Sequence, residues 1–289
     1  MLYLNRPVKK RIGLGTWSWG NKLFWNYKSL NDDDLRETYN EALQRGFDLI
    51  DTADSYGTGD LQGRSELLIG KFLLNTPSAK KKRIQVATKL APYPWRIGDR
   101  GFNKPFLKSL ERLNNKLDIV QLHWSTAKYN PWQELGLLNN LCDLKDQGFD
   151  FQIGLSNIGP KRLTKLINYL AKRNQSLKSV QIQFSLLAPD LRKQYQVKKF
   201  AKQIILISLL IVLCPLEYFV LILIKKKIKK KVLFVMLYLK TIKNQHMNCG
   251  GVLKELRIKD QFPKRKLQLI GVVIKERFHS LECEKNLKL

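Results

Sequence analysis

The stretch Phe47-Asp48-Leu49-Ile50-Asp51-Thr52-Ala53-Asp54-Ser55-Tyr56-Gly57 decides the fold. It reads as a short apolar strand that stops on a carboxylate and opens into a polar turn. The same pattern recurs downstream. Residues 84–89 end on Lys89, 119–124 carry His123 and Trp124, 151–156 end on Ser156 beside Asn157, and 180–185 carry Gln181. With 11–16 ahead of them and 204–207 behind, these runs make seven strand candidates. Helical periodicity fills the intervals near 32–45, 63–74, 103–114, 131–147, 160–173 and 190–202. Start signals agree: Asn31 precedes three aspartates, Asn103 precedes Lys104-Pro105, and Gly159 precedes Pro160. Gly46 and Gly148 follow helices where a left-handed cap is wanted.

Strands alternating with helices of this length imply a parallel sheet. Seven strands and six helices without a break point to an α/β chain folded as a (β/α)8 TIM barrel. In such a barrel the chemistry hangs from the C-terminal ends of the strands. Asp51, Lys89, His123, Ser156, Asn157 and Gln181 all fall at or near those ends.

The composition narrows the options. The 289 residues carry a net charge of +28, with 33 Lys+Arg against 18 Asp+Glu in residues 1–200 and 19 against 6 in residues 201–289. The lysines of the last third come in blunt runs without interleaved aromatics, which argues against nucleic acid as a partner. Cys142, Cys214, Cys249 and Cys283 form no paired motif, so neither a disulfide framework nor a metal site is expected. The first residues show no apolar run of the signal-peptide kind, and a cytoplasmic monomer is the expectation.

The strand-end residues permit one chemistry in particular. When a hydride reduces an aldehyde or ketone, the carbonyl oxygen needs a proton. A tyrosine gives one near neutral pH only if its phenolate is stabilised. A neighbouring lysine can do that, a carboxylate can hold the lysine, and a histidine across the site can orient the carbonyl. Tyr56, Lys89, Asp51 and His123 supply those four groups. Singly they read as a turn residue, a solvated strand end, a helix cap and a core histidine; at matched strand ends the joint reading prevails.

The chain resembles the aldo-keto reductases over residues 9 to about 207, in the cyanobacterial and plant-plastid branch that includes pyridoxal reductases. The stretches that carry the resemblance are Gly13-Leu-Gly-Thr-Trp17, Asp51-Thr-Ala-Asp-Ser-Tyr56-Gly57, Gly63-Arg-Ser-Glu66, Ile69-Gly70, Thr88-Lys89, Leu122-His123, Ile153-Gly-Leu-Ser-Asn157 and Val180-Gln-Ile-Gln-Phe-Ser185. The resemblance implies an NADPH-dependent (NADP) oxidoreductase that reduces a small-molecule aldehyde or ketone to an alcohol. Tyr56 is then the general acid, tuned by Lys89 and Asp51, and His123 orients the substrate. Gly15, Thr16, Asp51, Ser156, Asn157 and Gln181 border the cofactor, with the last three residues on the nicotinamide carboxamide. Trp17 and Trp124 flank the substrate pocket, and Asp54 is structural.

The resemblance ends near residue 207. The family continues with a strand of the type Ser-Tyr-Ser-Pro-Leu and later segments that hold the cofactor. Here Ser208-Leu-Leu-Ile-Val-Leu-Cys-Pro-Leu-Glu-Tyr-Phe-Val220 leads into the lysine-rich run 225–231. Synonymous codons can be chosen for 209–220 that, read from the third base of the first codon, spell Ser-Tyr-Ser-Pro-Leu-Ser-Leu-Gly-Ile-Leu-Cys. The expectation is therefore an incomplete barrel over 1–207, truncated after strand seven with two open edges. Residues 208–289 then form an out-of-frame, basic, apolar-rich tail of no recognised fold. The alternative is an inactive remnant, or a membrane-associated protein with an apolar segment at 203–224. Pro215 and Glu217 inside that segment weigh against a membrane span.

Overall fold

Among the described residues, the apolar runs that stop on a polar group become strands and the periodic intervals become helices. The computed structural model describes residues 12–98, 100–184, 207–212 and 271–277. The strands are β1 (Ile12–Gly15), β2 (Leu49–Asp51), β3 (Gln85–Leu90), β4 (Ile119–Leu122), β5 (Gln152–Ser156), β6 (Leu177–Phe184), β7 (Ile207–Val212) and β8 (Gly271–Arg277). The helices are α1 (Lys22–Trp25), α2 (Asp32–Gln44), α3 (Arg64–Leu74), α4 (Ser78–Lys81), α5 (Asn103–Arg112), α6 (Pro131–Asp146) and α7 (Pro160–Lys172).

Strands β1 to β7 pair in sequence order and run parallel, from Leu14 opposite Ile50 to Phe184 opposite Val212. β8 sits between β7 and β1, antiparallel to both, with Ile207 opposite Arg277 and Ile12 opposite Ile274. The sheet is a closed barrel. As expected, the parallel strands end with strand seven among the described residues; two details differ. Strand seven begins where it was expected to end, because the apolar run around it carries no turn residue to fix its start. The gap after it is filled by a strand from the tail, which pairs both edges that would otherwise present unpaired N–H and C=O groups. The barrel is still irregular, since its eighth strand does not run parallel to the others.

Of the 203–224 stretch weighed as a membrane segment, 207–212 is barrel strand and the rest lies outside the described residues, as does the helix expected at 190–202. Among the described residues no helix is long and apolar enough to cross a membrane.

The helix signals were mostly used as written. Three aspartates occupy the first turn of α2, where the helix dipole favours negative charge. Asn31 does not cap that helix, however; its side chain accepts from the Lys28 N–H instead. Gly46 and Gly148 take φ of +84° and +95°, the left-handed caps anticipated for them.

Inside the barrel, Leu49, Ala87 and Ile119 form a buried cluster below the site. Two residues further along the same strands, and so on the same face, come Asp51, Lys89 and Gln121. The interior thus changes from apolar to polar towards the strand C-termini. Outside the strands, Phe106 of α5 packs its ring 5.0 Å from Phe149 and 5.2 Å from Phe151.

Gly70 of α3 sits at a close contact with the end of α5. A Cβ at this position would overlap the carbonyl of Arg112, and Asn114 Nδ2 donates to the Gly70 carbonyl at 2.8 Å. Gly70→Ala is expected to lower stability by about 1–3 kcal/mol, as overpacking does. A urea-unfolding midpoint equal to that of the parent would contradict this packing.

Candidate active site

Asp51 closes β2, and the next residues turn across the barrel mouth: Thr52 N–H donates to Ala87 O at 2.8 Å and Asp54 N–H to Lys89 O at 3.0 Å. Gly57 ends the turn at φ +116°, where a Cβ would overlap the Leu61 carbonyl. Only glycine fits there, and it lets the chain fold back so that Tyr56 faces inward, 8% exposed.

Lys89 lies at the centre of the polar layer, with no exposed surface. Its ammonium donates to Asp51 Oδ2 at 2.8 Å, Thr52 O at 2.6 Å and Tyr56 OH at 3.1 Å. An ammonium has three protons and no acceptor, so Lys89 is fully satisfied and the Tyr56 oxygen is an acceptor. The phenolic proton of Tyr56 therefore points elsewhere. Burial pushes the Tyr56 phenol up; Lys89 pulls it down, Asp51 adds to the rise, and the net direction is upward. This refines the sequence-based expectation, because Asp51 offsets part of the charge with which Lys89 would acidify the phenol. Burial alone pulls the Lys89 ammonium down, but the Asp51 carboxylate and Tyr56 outweigh it and the net direction is up.

His123 follows β4, and its N–H donates to Leu90 O at 3.1 Å. Its ring stands edge-on to Tyr56, with centroids 5.8 Å apart. Burial, with help from the Lys89 charge, holds His123 well below the usual imidazole range. The ring is neutral at physiological pH.

The remaining strand-end residues join the same layer. Gln181 Nε2 donates to Asp51 Oδ1 at 2.8 Å, and Ser156 Oγ donates to Gln181 Oε1 at 3.3 Å. Asn157 adopts a left-handed φ of +56°, which asparagine tolerates, and its side-chain amide donates to Ser156 Oγ at 3.2 Å and His123 O at 3.4 Å. One polar string thus runs from Asn157 through Ser156, Gln181 and Asp51 to Lys89 and Tyr56. Gly15 ends β1 opposite Asp51. The Thr16 hydroxyl joins the backbone of this layer to α3: it donates to Asp51 O at 2.9 Å and accepts from Ser65 Oγ at 2.6 Å. Trp124 lies 5.0 Å from the His123 ring, and its indole N–H donates to Tyr129 OH at 3.0 Å. Trp17 belongs to a separate aromatic group, 6.4 Å from Phe24 and 6.1 Å from Trp25.

Asp54 makes a separate set of bonds. It accepts from Ala91 N–H at 3.1 Å and from Arg96 Nη1 at 2.5 Å, pinning the loop after β3. Burial, opposed by Arg96, pushes its carboxyl up to about 6 from an ordinary 3.8. The folded chain therefore holds this proton more tightly than the unfolded chain. Asp54's contribution to stability is greatest below the unfolded value and is lost as pH rises through the folded one. Relative to Asp54→Asn, the parent is expected to lose on the order of 3 kcal/mol between about pH 4 and 6, at about 1.4 kcal/mol per unit. Urea midpoints of the two proteins that move in parallel over that range would refute the shift.

Two residues of this mouth carried no signal of their own in the sequence. Ser55 sits with its Oγ 3.2 Å from His123 Nδ1, and Tyr93 meets the Trp124 ring edge-on with centroids 6.1 Å apart. Ser55 lies within the diagnostic stretch but between louder neighbours, and Tyr93 lies in a loop without a motif.

Comparison with known proteins matches this chain to the Aldo/keto reductase family over residues 11–211. It is 44% identical over 196 residues to the chloroplastic pyridoxal reductase of Arabidopsis thaliana, covering 67% of this chain and 53% of that protein. It is 29% identical over 179 residues to the NADH-specific methylglyoxal reductase of Escherichia coli (strain K12), covering 55% and 52%. The chain spans about half the length of these curated relatives. Among solved structures, the glycerol dehydrogenase of Gluconobacter oxydans superimposes with a TM-score of 0.53 at 24% identity, over 68% of this chain and 58% of that one, a likeness of fold.

Proposed function

Because this chain belongs to the Aldo/keto reductase family, we propose that its barrel mouth is a site for NADPH-dependent reduction of an aldehyde or ketone, with Tyr56 as the proton donor. The observation that carries this reading is the Lys89 ammonium, buried and bonded at once to Asp51 and Tyr56. A lysine so placed exerts its charge on the Tyr56 oxygen while leaving the phenolic proton free to be given away. Asp51 keeps the lysine charged and fixed. Neutral His123 faces the same space and orients the carbonyl oxygen by hydrogen bonding.

NADPH, when bound, supplies the hydride. The donor set suits its carboxamide: Ser156, Asn157 and Gln181 offer a hydroxyl and two amides at adjoining strand ends, a mixture of donors and acceptors that a primary amide needs. The Thr16 hydroxyl is engaged with Ser65 and Asp51 O, and its N–H with Asp51 O, so Thr16 and Gly15 would border the cofactor by shape. The identity to a pyridoxal reductase makes pyridoxal the first aldehyde to assay.

NADPH titration of the full chain is expected to quench tryptophan fluorescence, since Trp124 adjoins His123 at the mouth. Absence of quenching at saturating cofactor would sink the reading for this polypeptide. A second reading is favoured by the coverage of the relatives and by the end of the family match at 211. It holds that translation from about residue 208 is out of frame and that the barrel is an inactive remnant. Sequencing the coding DNA across codons 195–240 decides it. A single-base repair that restores Ser-Tyr-Ser-Pro-Leu supports the remnant, and an early stop in the alternative frame argues against it.

A further inference from the structure

We propose that Gln181 is a positioning residue for the reaction: beyond any contact with a cofactor, it clamps the Asp51 carboxylate from across the barrel and so fixes Lys89 against the Tyr56 oxygen. Its part in turnover rests on the reductase reading above, whereas the clamp itself does not. Gln181 is wholly buried and its Nε2 donates to Asp51 Oδ1 at 2.8 Å, while Lys89 donates to Asp51 Oδ2 at 2.8 Å. The two carboxylate oxygens are thus divided between one amide and one ammonium.

The place of this bond in the fold gives it its leverage. Strands β2 and β6 stand four places apart in a closed ring of eight, on opposite walls of the barrel. Their backbones pair with their own neighbours, β2 with β1 and β3, β6 with β5 and β7. The bond from Gln181 to Asp51 therefore spans the interior at the level of the site. The Asp51 main chain is already fixed, since its carbonyl accepts from the Thr16 N–H at 3.1 Å and the Thr16 hydroxyl at 2.9 Å. What remains is rotation of the carboxylate. Lys89 alone would leave that rotation open, because either oxygen serves an ammonium equally well. A donor on the other oxygen removes the choice.

The orientation of the amide follows from its neighbours. A carboxylate only accepts, so the Gln181 nitrogen must face Asp51 and its oxygen is left for Ser156 Oγ at 3.3 Å. Ser156 then donates to Gln181 and accepts from Asn157 Nδ2 at 3.2 Å. Every donor in the string points towards Asp51, an arrangement in which successive hydrogen bonds polarise and strengthen one another. The Gln181 backbone is held as well, its carbonyl accepting from the Asn157 N–H at 2.9 Å. Nε2 keeps a second hydrogen and so can serve a carboxamide without releasing Asp51.

The test is nitrogen-15 NMR of the full chain without cofactor. The Lys89 ammonium is assigned by its loss in Lys89→Met, and the Gln181 amide through its own side-chain carbons. The expected result is a Gln181 Nε2 proton shifted downfield by the carboxylate, and Lys89 ammonium protons slow to exchange with water. Gln181→Met keeps the length and removes the donor, and is expected to speed Lys89 exchange about tenfold, the worth of one hydrogen bond. Ser156→Ala leaves the clamp in place and is expected to leave Lys89 as in the parent. At saturating NADPH, Gln181→Met is expected to lower kcat about tenfold, again one hydrogen bond, with little change in KM for the aldehyde. An amide signal at the position of a free glutamine overturns the proposal, as does a kcat equal to that of an active parent. Lys89 exchange that is unchanged in Gln181→Met, or equally faster in Ser156→Ala, overturns it too. A parent without turnover whose Lys89 exchange responds as described supports the clamp while overturning the reductase reading.

Discussion

Tyr56→Phe is expected to lower aldehyde-dependent NADPH oxidation by about 10²–10⁴-fold, the usual contribution of a positioned general acid. The fold should barely register the change. Among the described residues the hydroxyl that is lost has one partner, Lys89, at 3.1 Å, and Lys89 keeps Asp51 and Thr52 O. A phenylalanine ring retains the edge contact with His123 and the Lys89 ammonium 4.8 Å from the ring centroid. Cofactor binding should be unaffected, because the nicotinamide end is assigned to Ser156, Asn157 and Gln181. The discriminating experiment pairs a turnover assay with NADPH fluorescence titration on the same preparation. Turnover lost with binding intact fits the proton-donor role. Turnover equal to the parent would remove Tyr56 from the mechanism.

The largest effect on stability is expected at a residue away from the chemistry. Glu66 of α3 is wholly buried and accepts from Thr88 Oγ1 at 2.5 Å, Ser109 Oγ at 3.2 Å and Arg112 Nε at 2.8 Å, with Arg112 Nη2 2.6 Å from the same carboxylate. One side chain thus ties α3 to β3 and α5, beneath the strand that presents Lys89. Glu66→Leu leaves the guanidinium and two hydroxyls without their acceptor and is expected to cost about 3–5 kcal/mol, as breaking a buried ion pair does. That is a large part of a typical domain's 5–15 kcal/mol. Glu66→Leu with Arg112→Met should recover much of the loss, because neither charge is then left alone. Denaturant unfolding of the single and double variants checks this. Equal losses in the two would mean that the ion pair is not the source.

The first six strands were legible because each βα unit carries its own punctuation: an apolar run, a polar stop, and a glycine or proline at the next boundary. Strand seven lay in an apolar run with no such mark, so its position was read several residues early. β8 was illegible for another reason. Its antiparallel pairing with β1 and β7 breaks the alternation on which the barrel was inferred, and one of its partners, β1, lies at the far end of the sequence. At the site, Asp51, Tyr56, Lys89 and His123 could be named because a strand end fixes where a side chain points. The sequence does not show that Ser65, arriving on a helix, would occupy the Thr16 hydroxyl. Tyr93 comes to Trp124 through loop geometry, which no periodicity encodes.

The antiparallel closing strand also governs the order in which this molecule can form. Ile12 meets Ile274, so the contact that completes the sheet joins segments separated by almost the whole chain. Contacts of that separation carry the largest loop-closure cost and form late. At ribosomal rates of about 5–20 residues per second, β1 waits roughly 10–50 s for its second neighbour to be made. Throughout that interval its outer edge is an unpaired template for any passing strand. The yield of native protein should therefore be decided during synthesis, by how long the nascent sheet is shielded, more than by the stability of the finished barrel.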